Sequence, residues 1–276
     1  MGLFDGLFRR QKKVPDNSAA LRKTEDGPIV LKVGNVQGVG RREGQEDSFA
    51  ILGASDPAEQ KRRGLFAVVC DGMGGMANGK AASEGAVNTF CQLFHSLLEE
   101  GDIPQQLREG VMAVSDGLYQ HFAGQSGTTA VAVRVFQDVL HWTSVGDSAV
   151  FLMRSGGVFQ LNREHTYLNT LYERELSEEI ICRERAETDE DARRLSAFVG
   201  FRDLKTVDGS LRPLPLQKGD VILLCSDGIS GVLTPPELME AMRLEPEEGC
   251  ALLETLVLEK NVPEQDNYTG ILIACK

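Results

Sequence analysis

The spacing of the β-type segments in the middle of the chain constrains the fold more than any other feature. Four such runs follow one another, at residues 128–135, 139–144, 149–154 and 158–161. The first and third gaps of this series are turn sequences, Gln137-Asp138 and Ser155-Gly156-Gly157. Strands joined by such short turns form antiparallel hairpins. We therefore predict an antiparallel sheet here.

The order of the other elements indicates an α+β fold. Strand-like runs are predicted at 29–36, 65–70, 221–225 and 268–275, and amphipathic helices at 81–98, 103–122, 235–242 and 247–259. This order is not the regular strand-helix alternation of a doubly wound sheet. Antiparallel sheets with helices packed outside them fit better. We predict one domain over residues 29–276, interrupted by a charged, partly helical segment at about 166–205.

Composition excludes some classes of protein and of partner. With 42% hydrophobic and 25% charged residues, the chain is an average globular protein. Its formal charge of -12 argues against a nucleic-acid partner, because binding to phosphate backbones requires clustered Lys and Arg. An anionic substrate would therefore need local positive charge, from an arginine pocket or from bound metal.

The cysteines and the apolar segments predict a cytoplasmic location. Six cysteines are scattered without a C-x-x-C pair, which is typical of buried, reduced residues rather than of a disulfide framework. No apolar run approaches the roughly 18 residues of a membrane span, and the start lacks the apolar core of a signal peptide.

The first 28 residues have the composition of a flexible arm. The apolar side chains of Leu3, Phe4, Leu7 and Phe8 have helical spacing and precede a basic run at 9–13. A short helix that contacts a membrane or a partner through residues 1–13 is one interpretation. The favoured alternative is a frayed terminus that packs locally.

Acidic residues recur where predicted strands meet turns. They are Glu46, Asp47, Asp71, Asp147, Asp227 and Asp266. Taken singly, each has the ordinary explanation of a turn residue. Together they would repel one another unless divalent cations such as Mg²⁺ or Mn²⁺ lay among them. Two such ions can lower the pKa of a water and direct it at phosphorus, and Arg42 could bind the phosphate oxygens.

Six motifs, in order, resemble those of the type 2C (PPM) metal-dependent protein serine/threonine phosphatases, in their bacterial form. They are Arg42-x-x-x-Glu46-Asp47, Asp71-Gly72-Met73-Gly74-Gly75 with Gly79-Lys80-Ala81-Ala82-Ser83, Ser126-Gly127-Thr128-Thr129, Gly146-Asp147-Ser148, Ser226-Asp227-Gly228 and Asp266-Asn267-Tyr268-Thr269. The resemblance covers about residues 30–274. It implies an antiparallel β-sandwich flanked by helix pairs (α-β-β-α). It also implies a signalling hydrolase that removes phosphate from phosphoserine and phosphothreonine in the substrates of a serine/threonine kinase.

The resemblance further implies a role for each site residue. Asp71 would bridge two Mn²⁺ or Mg²⁺ ions, and a water held between them would attack the phosphate directly. The remaining assignments are the Gly72 carbonyl and Glu46 as further ligands, Asp227 and Asp266 at the second ion, Asp147 with Asp227 at a third ion, Asp47 on a bound water or an outer position, and Arg42 on the substrate phosphate.

Departures from the family pattern leave some points open. Met73 stands where many eukaryotic members have a histidine proposed as general acid, so the proton donor is not assigned. Ala149 replaces a common arginine beside the third-metal motif, and the 166–205 segment matches the family's flap poorly. The four histidines, His95, His121, His141 and His165, lie outside the motifs and are predicted to be structural.

Two other functions compete with an active phosphatase. A catalytically silent domain of the same fold could bind a partner, but it would have no chemical need to retain Arg42, Asp71, Asp227 and Asp266 together. A two-metal nuclease is disfavoured by the acidic composition.

Overall fold

The computed structural model describes residues 29–55, 57–74, 76–96, 102–178 and 182–276. The predicted arm, residues 1–28, lies outside these ranges, as do Gly75 of the second motif and residues 179–181 of the charged segment. The domain boundary at residue 28 therefore stays a prediction.

The described chain forms strands and helices close to the predicted ones. The strands are β1 (Leu31–Gly38), β2 (Ser48–Leu52), β3 (Leu65–Cys70), β4 (Gly72–Met73), β5 (Gly127–Thr128), β6 (Ala130–Phe136), β7 (Val139–Val145), β8 (Ala149–Arg154), β9 (Gly157–Gln160), β10 (Asp208–Gly209), β11 (Leu214–Pro215), β12 (Val221–Cys225) and β13 (Tyr268–Cys275). The helices are α1 (Pro57–Arg63), α2 (Met76–Ser96), α3 (Ile103–Phe122), α4 (Tyr167–Ser177), α5 (Arg183–Glu187), α6 (Asp227–Ser230), α7 (Pro235–Met242) and α8 (Pro246–Glu259).

Two antiparallel sheets form the centre of the fold, as the sequence predicts. The first has the strand order β1-β13-β12-β8-β9, and the second has the order β10-β7-β6-β3-β2, with β11 also paired to β7. Short turns join the hairpins β6-β7 and β8-β9. Gln137 and Asp138 have φ values of 51° and 60°, and Ser155 and Gly156 have 52° and 78°. Consecutive positive φ values are typical of the type I′ turns that match strand twist.

Three apolar clusters show that the sheets are stacked between helices. One lies between the two sheets, a second lies between β3, β6 and helices α2 and α3, and a third lies between the first sheet and helices α7 and α8. Strand β3 shows why its sequence is apolar throughout. Leu65, Ala67 and Val69 enter the cluster between the sheets, whereas Phe66, Val68 and Cys70 enter the cluster below α2 and α3. A strand covered on both faces needs apolar side chains at every position.

The charged segment after β9 consists of two parts. Helices α4 and α5 pack around their own small cluster of Leu171, Ala186 and Ala192. The later part is held by the domain, because Val199 exchanges two backbone hydrogen bonds with Thr128, at 2.8 and 2.9 Å. Ala197, Val199, Leu204 and Val207 belong to the cluster below α2 and α3. Among the described residues, the separately packed part is therefore 167–178 and 182–194, which is shorter than the 166–205 predicted from charge.

None of the helices that the structure describes combines the length and the apolar character needed to cross a membrane. Helix α3 has the predicted bounds. The Asp102 side chain accepts a hydrogen bond from the Gln105 amide, and Pro104 lies in the first turn, a position that suits proline. Helix α1 was not predicted, because its seven residues are too polar to show a periodic apolar face.

A carboxylate cluster at one end of the sandwich

Strand pairing brings the predicted acidic residues to one end of the sandwich. Ser48 pairs with Cys70, so the preceding Asp47 and the following Asp71 are neighbours on the second sheet. Cys225 pairs with Ala149, so Asp227 and Asp147 are neighbours at the same end of the first sheet. Asp266 directly precedes Asn267 and β13, the strand that pairs with β12. A hydrogen bond of 2.8 Å from Ser226 Oγ to Asp47 Oδ2 joins the two halves.

Burial, and then repulsion between neighbouring carboxylates, raises the pKa values of Asp71, Asp147 and Asp227. Burial raises the pKa of Asp71 well above its ordinary value, and the charges of Asp47 and Asp227 raise it further. Burial and the charge of Asp227 raise the pKa of Asp147 to about 7. Burial and then Asp266 raise the pKa of Asp227. Such mutual effects require close carboxylates, which are costly to ionise together without a counter-charge.

The donor atoms of the cluster fit divalent metal ions. Three buried carboxylate oxygens of the cluster have no hydrogen-bond partner: Glu46 Oε1, Asp47 Oδ1 and Asp227 Oδ1. Mg²⁺ and Mn²⁺ prefer such oxygen ligands. Within the described ranges, no three acidic, histidine or cysteine side chains already converge as a metal shell. The fit therefore rests on the unpartnered oxygens and on the repulsion that cations would relieve.

Gly72 and Glu46 meet because neither Gly72 nor Gly79 carries a side chain. A Cβ atom on Gly72 would collide with the Gly79 carbonyl and approach the Glu46 carbonyl oxygen. A Cβ atom on Gly79 would collide with the Glu46 carboxylate. The glycines of the second motif thus allow the Asp71-Gly72 turn and the start of α2 to close around Glu46.

Asn267 fixes the segment that carries Glu46. Its side-chain oxygen accepts a hydrogen bond of 2.7 Å from the Glu46 amide, and its side-chain nitrogen donates to the carbonyls of Val39 and Gly44, at 2.8 and 3.0 Å. The side chain is buried, so all these bonds are shielded from water. Asn267 belongs to the last of the six sequence motifs, but the sequence alone indicates no role for its side chain.

The Ser-Gly-Thr-Thr motif holds Asp71. Thr128 Oγ1 and the Thr129 amide both donate to the Asp71 carbonyl, at 2.7 and 2.8 Å, and the Asp71 amide donates to Thr129 Oγ1, at 3.0 Å. Thr129 Oγ1 lies 2.7 Å from Ser148 Oγ, next to Asp147. The motif therefore links the backbone of Asp71 to the turn that carries Asp147.

His165 supports the Asp147 turn from behind. Its Nδ1 accepts a hydrogen bond of 3.1 Å from the Gly146 amide, and its own amide donates to the Gly146 carbonyl at 2.8 Å. Gly146 has a φ of 99°, a conformation that favours glycine. Burial lowers the pKa of His165, so the ring is held neutral and Nδ1 can accept. The structural role predicted for this histidine agrees with these contacts, but its place beside the cluster was not foreseen.

Arg42 lies at the mouth of the cluster. Its Nη2 donates to Asp266 Oδ2 at 2.6 Å, and the Arg42 side chain remains 54% exposed. The Asp266 Oδ1 atom accepts a hydrogen bond from the Asn267 amide at 2.8 Å. The guanidinium is therefore bonded to the cluster on one side and open to solvent on the other.

Comparison with known proteins gives a consistent result. Residues 45–256 match the family model described as Protein phosphatase 2C. The serine/threonine phosphatase stp of Listeria monocytogenes is 28% identical over 193 residues, which are 67% of this chain and 74% of that protein. The Mycobacterium tuberculosis serine/threonine phosphatase PstP/Ppp has a crystal structure with a TM-score of 0.69 and 25% identity, covering 89% of this chain and 98% of the other. The catalytic domain of PstP in complex with two manganese ions gives a TM-score of 0.67 at 26% identity, covering 90% and 99%.

Proposed function

Because the chain belongs to the protein phosphatase 2C family, we propose that the carboxylate cluster at the end of the sandwich is its active site. The protein is a metal-dependent protein serine/threonine phosphatase that uses Mn²⁺ or Mg²⁺. One observation carries the assignment of the site: carboxylates from both sheets lie at one end of the sandwich, and three of their oxygens, on Glu46, Asp47 and Asp227, are buried without a hydrogen-bond partner.

The residues divide into two ligand groups around Asp71. Asp71, the Gly72 carbonyl and Glu46 would hold one ion, and Asp71, Asp227 and Asp266 would hold the other. Asp147, which lies beside Asp227, would contribute to a third ion. Asp47 Oδ2 accepts the hydrogen bond from Ser226 Oγ, and Asp47 Oδ1 would contact a metal-bound water or lie outside the ligand shell. The ions supply the Lewis acidity that lowers the pKa of a water for attack on phosphorus.

Arg42 would bind the substrate phosphate. A guanidinium can donate two parallel hydrogen bonds to phosphate oxygens. Its present partner, Asp266, is a proposed metal ligand, and a cation there would compete with Arg42 for Oδ2. In this assignment, a cation bound by Asp266 would weaken the bond between Asp266 and Arg42, and the guanidinium would then be free to bind the substrate phosphate. A general acid is not assigned, because Met73 cannot donate a proton.

The substrates are phosphorylated proteins, and we propose that a serine/threonine kinase produces them. A cytoplasmic location and membrane contact through residues 1–13 stay predictions. The six cysteines are free thiols, which is compatible with a reducing compartment.

Hydrolysis of an aryl phosphate and of a phosphothreonine peptide tests the proposal. We expect both activities to require Mn²⁺ or Mg²⁺ and to disappear with a chelator. Asp227→Asn should abolish both, whereas Asp116→Asn, an exposed carboxylate on α3, should leave both unchanged. Full activity without metal, or in the Asp227→Asn variant, would refute the assignment.

A further inference from the structure

The first turns of α2 contain a motif to which the proposed function gives no role. It is the sequence Gly79-Lys80-Ala81-Ala82-Ser83, which directly faces the segment 46–48. Ser83 is completely buried, and its Oγ donates to the Glu46 carbonyl oxygen at 2.5 Å. The same Oγ lies 2.8 Å from Ser48 Oγ. The helix therefore touches the site segment through a polar side chain inside the protein.

Lys80 contacts the same segment one turn earlier. Its ammonium group donates to the Asp47 carbonyl at 2.9 Å and to Ser48 Oγ at 3.2 Å. Its ion pair with Glu84, at 3.5 Å, lies on the exposed side of the helix and contributes little. The two bonds to the site segment are charge-assisted and are therefore the stronger contacts of this side chain.

Lys80 also sets the direction of the hydroxyl network. An ammonium group can only donate, so Ser48 Oγ accepts from Lys80 and can give its own proton to Ser83 Oγ. Ser83 then donates to the Glu46 carbonyl, the nearer of its two backbone acceptors; the other, the Lys80 carbonyl, lies at 3.0 Å. The result is one directed chain of hydrogen bonds from the Lys80 ammonium to the backbone of Glu46.

We propose that Lys80 and Ser83 are positioning residues that fix the backbone of Glu46 and Asp47 and thereby set the affinity of the site for metal. This inference rests on the proposed function. Both carboxylates have an unpartnered oxygen, so a shift of the backbone that carries them would misplace these oxygens. Outer contacts of this kind typically change metal affinity by about 10–100-fold when they are removed.

Titration of metal-free protein with Mn²⁺ in a calorimeter tests the proposal independently of catalysis. Lys80→Met keeps the length of the side chain and removes the ammonium group. We expect its Mn²⁺ dissociation constant to rise by about 10-fold or more. KM for an aryl phosphate at saturating Mn²⁺ should stay within about twofold, because the ammonium group of Lys80 is bonded to residues 47 and 48 and the proposed phosphate ligand is Arg42. Ser83→Ala should weaken Mn²⁺ binding in the same direction.

Glu84→Gln is the matched control, because it changes the exposed partner of Lys80 and leaves the two bonds to residues 47 and 48. Its Mn²⁺ affinity should equal that of the wild type. Lys80→Arg restores a positive donor and should recover most of the affinity, which also keeps the test valid if Lys80→Met unfolds.

The possible failures can be told apart. Unchanged Mn²⁺ affinity in Lys80→Met, or equal weakening in Glu84→Gln and Lys80→Met, would overturn the positioning role. A lowered melting temperature in chelator with unchanged Mn²⁺ affinity would also overturn it, because it would show a role in stability alone. Absence of Mn²⁺ binding to the wild type would refute the proposed function itself.

Discussion

Neutralising one buried carboxylate should stabilise the metal-free protein. Asp47 is fully buried, and burial raises its pKa from 3.8 to about 6 despite hydrogen bonds from Thr269 and Ser226 that lower it. In the unfolded chain the group would ionise near its ordinary value. The folded state therefore binds the proton more tightly, and ionising Asp47 costs stability as the pH rises. This loss in the free energy of unfolding is absent below about pH 4, where Asp47 is protonated in both states, and complete above about pH 6, where it is ionised in both. The rise in pKa from 3.8 to about 6 corresponds to about 3 kcal/mol.

The substitution Asp47→Asn tests this reasoning, because the amide oxygen can still accept the bond from Ser226. In chelator, urea unfolding should show the variant to be more stable than the wild type by about 3 kcal/mol at pH 7.5 and by only about 1 kcal/mol at pH 4.5. Saturating Mn²⁺ should remove the advantage at pH 7.5, since cations relieve the repulsion. Asp116→Asn should show no such dependence. A wild type that is the more stable protein at pH 7.5 in chelator would refute the argument.

Four further expectations concern catalysis and the outer segments. Asp71→Ala and Asp227→Ala should each lower kcat by several orders of magnitude with an unchanged far-UV circular dichroism spectrum; wild-type turnover in either would exclude its role as ligand. Arg42→Ala should mainly raise KM for an aryl phosphate, and an unchanged KM would exclude phosphate binding by this side chain. Replacing residues 167–194 with a short linker should reduce activity on phosphoproteins far more than on an aryl phosphate, and equal losses would contradict a role in substrate choice. A chain that begins at Gly27 should hydrolyse an aryl phosphate like the full chain, and unfolding of that chain would show that the arm belongs to the domain.

The sequence predicts the strands and helices of the central layers well, because neighbouring residues in the chain determine apolar runs, amphipathic patterns and turns. The bounds of α3 and β12 agree with the predicted ones, since an amphipathic pattern and a short apolar run mark them directly. The hairpin turns were also predicted correctly from Gln137-Asp138 and Ser155-Gly156. The uninterrupted apolar sequence of β3 is typical of a strand covered on both faces, and all six of its residues are buried.

The supports of the site could not be predicted, because they join residues that are far apart in the chain. Asn267 holds the segment of Glu46 across 221 positions, and Ser226 reaches Asp47 across 179. No periodicity or turn preference reports such contacts. His165 was recognised as structural, but only the fold shows that it supports the Asp147 turn. The pairing of Val199 with Thr128 could not be predicted either, because the sequence before Val199 is charged and gives no strand pattern.

The strand order of the first sheet has a consequence for synthesis of the chain. Strand β13, the last element described, lies between β1 and β12 and is the strand through which β1 joins its sheet. During translation, β1 is made before the other strands described here, but it remains unpaired until its partner strand β13, residues 268–275, has been made. Asp266 emerges only just before them. The first sheet and the last proposed ligand, Asp266, are therefore completed together, when residues 266–275 are made. A nascent or truncated chain that lacks these residues should have no phosphatase activity. Such long-range closure also makes slow folding the expected behaviour, because distant segments must meet before they gain contacts.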